Sequence, residues 1–227
     1  MCKRNGRTGA PANGTDLSRI PKPHSEFRIG NGLFSCIHFG MDDWGKRRLN
    51  SRMETLPITI PKDTSVFIQR WKNKGKCYAL NCLEHYFDRF FTAFVLYNFL
   101  YEEICSNCKL ELDKDCEKAT KAAKKFLGAS AIFADATICQ NAKKIQTLIR
   151  SKTFYIRNDV WDGERIKKLD SADPEQWVIG LLEIVYRIRC NTFHGQKSFD
   201  DGQREILGPC IAVVERLNDM LIEKMHS

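Results

Sequence analysis

The sequence predicts an all-α fold for residues 76–227, and three observations carry that prediction. Apolar residues recur at helical intervals through three long stretches of this part. Asp173-Pro-Glu-Gln has the make-up of a helix start, with Asp as cap, Pro at the first helical position and Gln at the third. The whole chain of 227 residues is 43% hydrophobic and 11% aromatic, values that fit a globular chain able to bury a core and not a disordered one. The expected architecture is a bundle of four main helices, residues 76–227, preceded by an irregular basic extension, residues 1–75.

Residues 1–24 are basic and rich in Gly, Pro and Asn, with little to bury. From Phe27 to Phe39 apolar residues return among glycines, a pattern suited to short strands or turns. Lys46, Arg47, Arg48 and Arg52 form a basic cluster beside Trp44. Leu56-Pro-Ile-Thr-Ile-Pro61 alternates between prolines and reads as a short edge strand.

The first helix is expected over Tyr78 to Cys105, where Leu80, Leu83, Phe87, Phe91, Phe94, Val95 and Phe99 cover most of the circumference. A helix that apolar belongs at the centre of its domain. Asp115 to Arg150 is rich in Ala and Lys, with Ala122, Phe126, Ala129, Phe133, Ala136 and Ile145 at helical spacing and Gly128 and Ser130 as interruptions. Thr153 to Ser171 is polar and holds the turn signals Asn158-Asp159 and Asp162-Gly163, so it reads as an irregular connection. A helix from Asp173 to about Arg189 and a last one from Gln203 to Met225, joined through a turn at Ser198 to Gly202, complete the bundle.

Charge is unevenly spread. Residues 1–75 hold 14 Lys and Arg against 6 Asp and Glu, while the remaining residues balance at 22 against 22. The net +8 therefore sits in the first third, which favours an anionic partner there, nucleic acid first. A solvated basic tail is the plainer reading. Residues 1–14 are polar and basic, and the most apolar run, Phe90 to Tyr101, is too short to span a bilayer. The expectation is a cytoplasmic protein with no membrane partner. The ten cysteines read as free thiols of a reducing compartment rather than a disulfide framework. Cys105-x-x-Cys108 with Cys116 has metal-like spacing but no clear second pair, so neither a metal nor another cofactor is assigned.

The stretch that invites chemistry is Val185 to Lys197, V-Y-R-I-R-C-N-T-F-H-G-Q-K. It sets a permanent cation, Arg189, five residues before His194, a group that titrates near neutrality. On an unbroken helix that step separates the two side chains by about 140°. They share a target only if the helix ends between them, as Gly195 permits, or if a second copy of the chain completes the site. A structural reading competes: His194 bonding the last carbonyls of the helix and Arg189 in a surface ion pair.

Arg189-Cys-Asn-Thr-Phe-His194-Gly, between two amphipathic helices at the end of a helical bundle, resembles the signature of the HEPN superfamily (higher eukaryotes and prokaryotes nucleotide-binding). Phe87-Asp-Arg-Phe-Phe and Tyr97-Asn-Phe-Leu-Tyr101 resemble the first long helix of its bacterial members, and the likeness covers about residues 78–225. The chain departs from the pattern directly after the arginine: many catalytic members carry a polar residue there, whereas this one has Cys190, with Asn191 next.

The resemblance implies a metal-independent endoribonuclease of toxin or phage-defence type, acting on RNA as a homodimer, with an antitoxin or sensor protein as a further partner. RNA brings its own nucleophile in the 2′-hydroxyl. Arg189 would stabilise charge on the phosphoryl oxygens, and two copies of His194 across a two-fold axis would supply a base and an acid. Asn191 would support the catalytic pair, and Lys197 would add positive charge at the substrate-binding rim. The alternative is a non-catalytic HEPN-like module that dimerises or binds nucleotides and nucleic acid. No paired-carboxylate motif of a two-metal nuclease, no Walker-type loop and no deaminase signature is present.

Overall fold

The computed structural model describes residues 62–152, 159–193 and 201–226, with the side chains of 62–63 and 159–162 left aside. The described residues all belong to one compact unit within 51–227. They are helical, with no strand among them. The strands expected at Phe27 to Phe39 and Leu56 to Pro61 lie outside the described residues, as do the basic cluster and the rest of the first sixty-one positions.

In order, the elements are α1 (Lys62–Lys76), α2 (Leu83–Asn107), α3 (Asp115–Glu117), a π-helical turn (Lys118–Ala122), α4 (Ala123–Leu127), α5 (Ala129–Ala134), α6 (Ala136–Arg150), α7 (Asp159–Leu169), α8 (Pro174–Phe193) and α9 (Gln203–Met225). Helix α2 runs through the centre, with Phe90, Leu100 and Ile104 wholly buried. Helix α9 lies along α2 and α6, α1 covers another side of α2, and α8 packs against α7 and α5. One continuous apolar core joins them. No described helix is long and apolar enough to cross a membrane.

Three local differences from the sequence reading have physical causes. Residues 62–75, read as part of an irregular extension, form all but the last residue of α1. Its apolar stripe is short, and what holds it is Ile68 in the core and the Phe67 ring 4.4 Å from that of Phe99. The predicted connection between Thr153 and Ser171 contains α7, because Leu169 is buried against α8 and that packing outweighs the Asp162-Gly163 turn signal. The segment from Asp115 breaks at Gly128, as expected, where φ is +88°, and again at Asp135. The Asp173 cap is present: its carboxylate accepts the Glu175 backbone N–H at 3.0 Å, and α8 starts at Pro174.

Gly180 lets α7 and α8 approach closely. A Cβ there would stand 2.7 Å from Lys168 Cβ and 3.2 Å from both the Arg165 carbonyl and the Leu169 nitrogen. Alanine normally gains about 1 kcal/mol over glycine inside a helix. Here the overpacking, at the upper end of about 1–3 kcal/mol, outweighs that gain. Gly180→Ala is expected to lower stability in urea denaturation; a variant as stable as the parent would show that the helices can separate freely.

Asp135 starts α6 and ties it to α9. Its carboxylate accepts the Ile138 N–H at 3.0 Å and the Arg216 Nε–H at 2.8 Å. Burial pushes this carboxyl up, but the Ile138 N–H and the Arg216 guanidinium together hold it below the usual Asp range. A depressed carboxyl stabilises the fold above its unfolded pKa, and the contribution fades as pH falls through the folded value. Asn can still cap the helix but loses the charge toward Arg216, so Asp135→Asn should cost up to about 1 kcal/mol at neutral pH and almost nothing well below the ordinary Asp value of about 3.9. Denaturation curves at both pH values read the difference; a loss independent of pH contradicts it.

Candidate functional site

Arg189 lies in the last turns of α8, 7% exposed. Its guanidinium carbon stands 5.6 Å from the centre of the Phe94 ring on α2, 5.7 Å from Tyr186 and 5.1 Å from Phe193. Three ring faces thus fix the position of the cation and shield it from water. Tyr186 lies three residues back on α8, where helical geometry puts neighbours on one face. Phe193 is four residues on and bridges to α2 through Phe90, Phe91 and Phe94.

The polar surroundings of Arg189 are sparse. Its Nη1–H points to the Cys190 sulfur at 3.9 Å, a weak acceptor, and Nε has no hydrogen-bond partner. The Asp115 carboxylate is 3.8 Å from Nη1, which makes an ion pair but not a hydrogen bond. Cys190 is thus a direct neighbour of the cation.

Both Asp115 oxygens are already engaged. The Tyr101 hydroxyl lies 2.5 Å from Oδ1, and the Tyr186 hydroxyl donates to Oδ2 at 2.8 Å. Tyr101 is also 2.8 Å from Asn98 Oδ1. One phenolic proton cannot serve both acceptors. The carboxylate takes it, and rotation of the Asn98 amide lets its NH2 donate to the phenol. Burial, with the nearby Asp115 charge, pushes both phenols far above their ordinary pKa, so they remain donors. Tyr97, one turn earlier, donates to the Ala119 carbonyl at 2.7 Å inside the π-helical turn, which seats the segment carrying Asp115 on α2.

Of the residues singled out in the sequence, Arg189 is placed as described. Asn191 is 5% exposed, and two helical residues carry it about 200° round α8 from Arg189, toward the opposite face. His194 and Lys197 lie outside the described residues. Asp115, Tyr101 and Tyr186 were not legible as site residues. Tyr186 had a signal, its three-residue spacing to Arg189; Asp115 is 74 residues away in sequence and had none.

The chain matches no protein-family model, no curated protein and no solved structure.

Two other places invite comparison. A cleft of about 110 Å³ opens between α1, α2 and α9 beside Trp71. Two of its three cations are closely paired, Lys72 with Asp219 at 2.7 Å and Arg89 with Glu215 at 2.7 and 2.9 Å, and the third is Lys76. The unpaired Thr92 Oγ1 and Asn218 Oδ1 in its lining are sealed from solvent, so they cannot meet a ligand without rearrangement. Cys105, Cys108 and Cys116 are free thiols, and among the described residues no three His, Cys, Asp or Glu side chains gather as metal ligands.

Proposed function

We propose that the protein is a HEPN-like, metal-independent endoribonuclease whose Arg189 and His194 act on the RNA phosphate across a homodimer interface. The observation that carries the reading is the state of Arg189. Its charge is held rigidly by three rings and lacks a carboxylate at hydrogen-bond distance, five residues before an imidazole. A purely structural buried arginine is ordinarily paired at hydrogen-bond distance, since an imperfectly compensated buried charge is costly. A cation prepositioned for charge that develops elsewhere tolerates that cost.

The chemistry asked of these groups is modest. His194 takes the 2′-hydroxyl proton, Arg189 receives the growing charge on the non-bridging oxygens, and the His194 of a second copy protonates the leaving 5′-oxygen. A 2′,3′-cyclic phosphate results. The Asp115 contact favours a second reading, a nucleic-acid-binding or dimerisation module in which the Arg189, Tyr101 and Tyr186 network serves the fold. Labelled RNA incubated with the protein in EDTA separates them. The nuclease cuts the strand, and His194→Ala stops it; the binding module only retards RNA, with a steep loss as salt rises.

A further inference from the structure

Three donors from two helices converge on one anionic group. Tyr101 comes from α2, Tyr186 and Arg189 from α8, and the Asp115 carboxylate sits among them at 2.5, 2.8 and 3.8 Å. Two of the donors belong to the core, Tyr101 at 1% exposed and the Arg189 side chain at 8%, and Tyr186 is half-buried against it. The acceptor does not. Asp115 is 44% exposed at the side chain and begins α3, a three-residue helical turn that buries none of its residues. Donors set in or against the core and a part-exposed acceptor describe a seat and its occupant.

We propose that this seat is an anion site and that Asp115 is its resting occupant, which a phosphodiester of a bound RNA strand displaces. This rests on the RNA-binding part of the function proposed above, not on cleavage. The Asp115 oxygens are tethered by the α3 backbone and reach both phenols while standing 3.8 Å from Arg189. A phosphate carries no such tether. It can close on the guanidinium to about 2.8 Å and still accept from the phenols. Arg189 Nε also lacks a partner, but it is sealed from solvent, so it adds a donor only where the seat rearranges around the anion. Displacement turns Asp115 into solvent, where its exposed side already lies. Asp115 thereby acts as a built-in competitor that keeps Arg189 compensated until RNA arrives.

The probe is a fluorescent 2′-O-methyl oligoribonucleotide, which lacks the nucleophile and reports binding alone. Asp115→Asn removes the competing charge and keeps an oxygen for one phenol. It should bind roughly fivefold tighter near about 50 mM salt, with a salt slope steeper by about one. Unchanged or weaker binding by a folded Asp115→Asn protein overturns the proposal.

A second measurement needs no substitution. With tyrosines labelled at the phenolic carbon, saturating oligonucleotide should shift the Tyr101 and Tyr186 signals. Bound oligonucleotide with both signals unmoved overturns the proposal, and so does a parent protein that binds no oligonucleotide. Shifted signals in a protein that never cuts RNA keep the seat and remove the nuclease; cleavage with unmoved signals does the reverse.

Discussion

Replacing Arg189 by alanine is expected to slow RNA cleavage by about 10²–10³-fold, the usual cost of losing one donor aimed at transition-state charge. His194→Ala should cost about 10²–10⁴-fold, the range for a general acid or base. The arginine change also empties a space between Phe94, Tyr186 and Phe193, so activity could fall through lost packing. Arg189→Lys separates the two causes. It keeps the charge and most of the stem but not the planar fork, so stability should largely return while the rate stays low. Rates and unfolding curves measured together decide. A lysine variant that cuts RNA as fast as the parent would show that only charge matters at this position.

Phe94→Ala is expected to cost about 3–5 kcal/mol of folding free energy, which is a large share of the ~5–15 kcal/mol that holds a domain together. Phe94 is 1% exposed, with ring centres 5.8 Å from Phe90, 5.5 Å from Tyr97 and 6.3 Å from Phe193. It is also one of the three walls around Arg189. Loss of this ring opens a cavity at the α2–α8 contact and frees the guanidinium to move, so core stability and site geometry should fail together. Phe94→Leu fills much of the cavity and should recover more than half of the loss, since large-to-small costs scale with the space left empty. A loss below about 1 kcal/mol for Phe94→Ala would mean that the surroundings collapse into the gap.

The helices that organise the centre were legible because their apolar residues fill a wide face. Most of the Tyr78 to Cys105 stretch is α2, although the helix starts only at Leu83 and runs on to Asn107; the Asp173 cap starts α8, and the last helix spans Gln203–Met225 as expected. What sequence concealed was decided by contacts between distant segments. Helix α7 carries turn signals that its packing on α8 overrides, and α1 is kept by Ile68 and Phe67 against α2. The second break, at Asp135, comes from a carboxylate that caps α6 and bonds Arg216 on α9.

The same division holds at the candidate site. Arg189 and its helix could be read locally, because spacing and capping are local properties. The carboxylate that faces it could not, because Asp115 reaches Arg189 only after α2, α3 and α8 have packed. Cys190 changed meaning for the same reason: in sequence it departs from the pattern that the stretch resembles, and in space its sulfur is a weak acceptor 3.9 Å from the guanidinium.

The most direct measurement is the chemistry of the RNA ends. A 5′-labelled RNA is incubated with purified protein in excess EDTA, and the fragments are resolved by the phosphate they carry. Attack by the 2′-hydroxyl, assisted by Arg189 and two His194 imidazoles, predicts fragments that end in a 2′,3′-cyclic phosphate, and their loss in His194→Ala. Intact RNA, or fragments ending in a free 3′-hydroxyl, would contradict it.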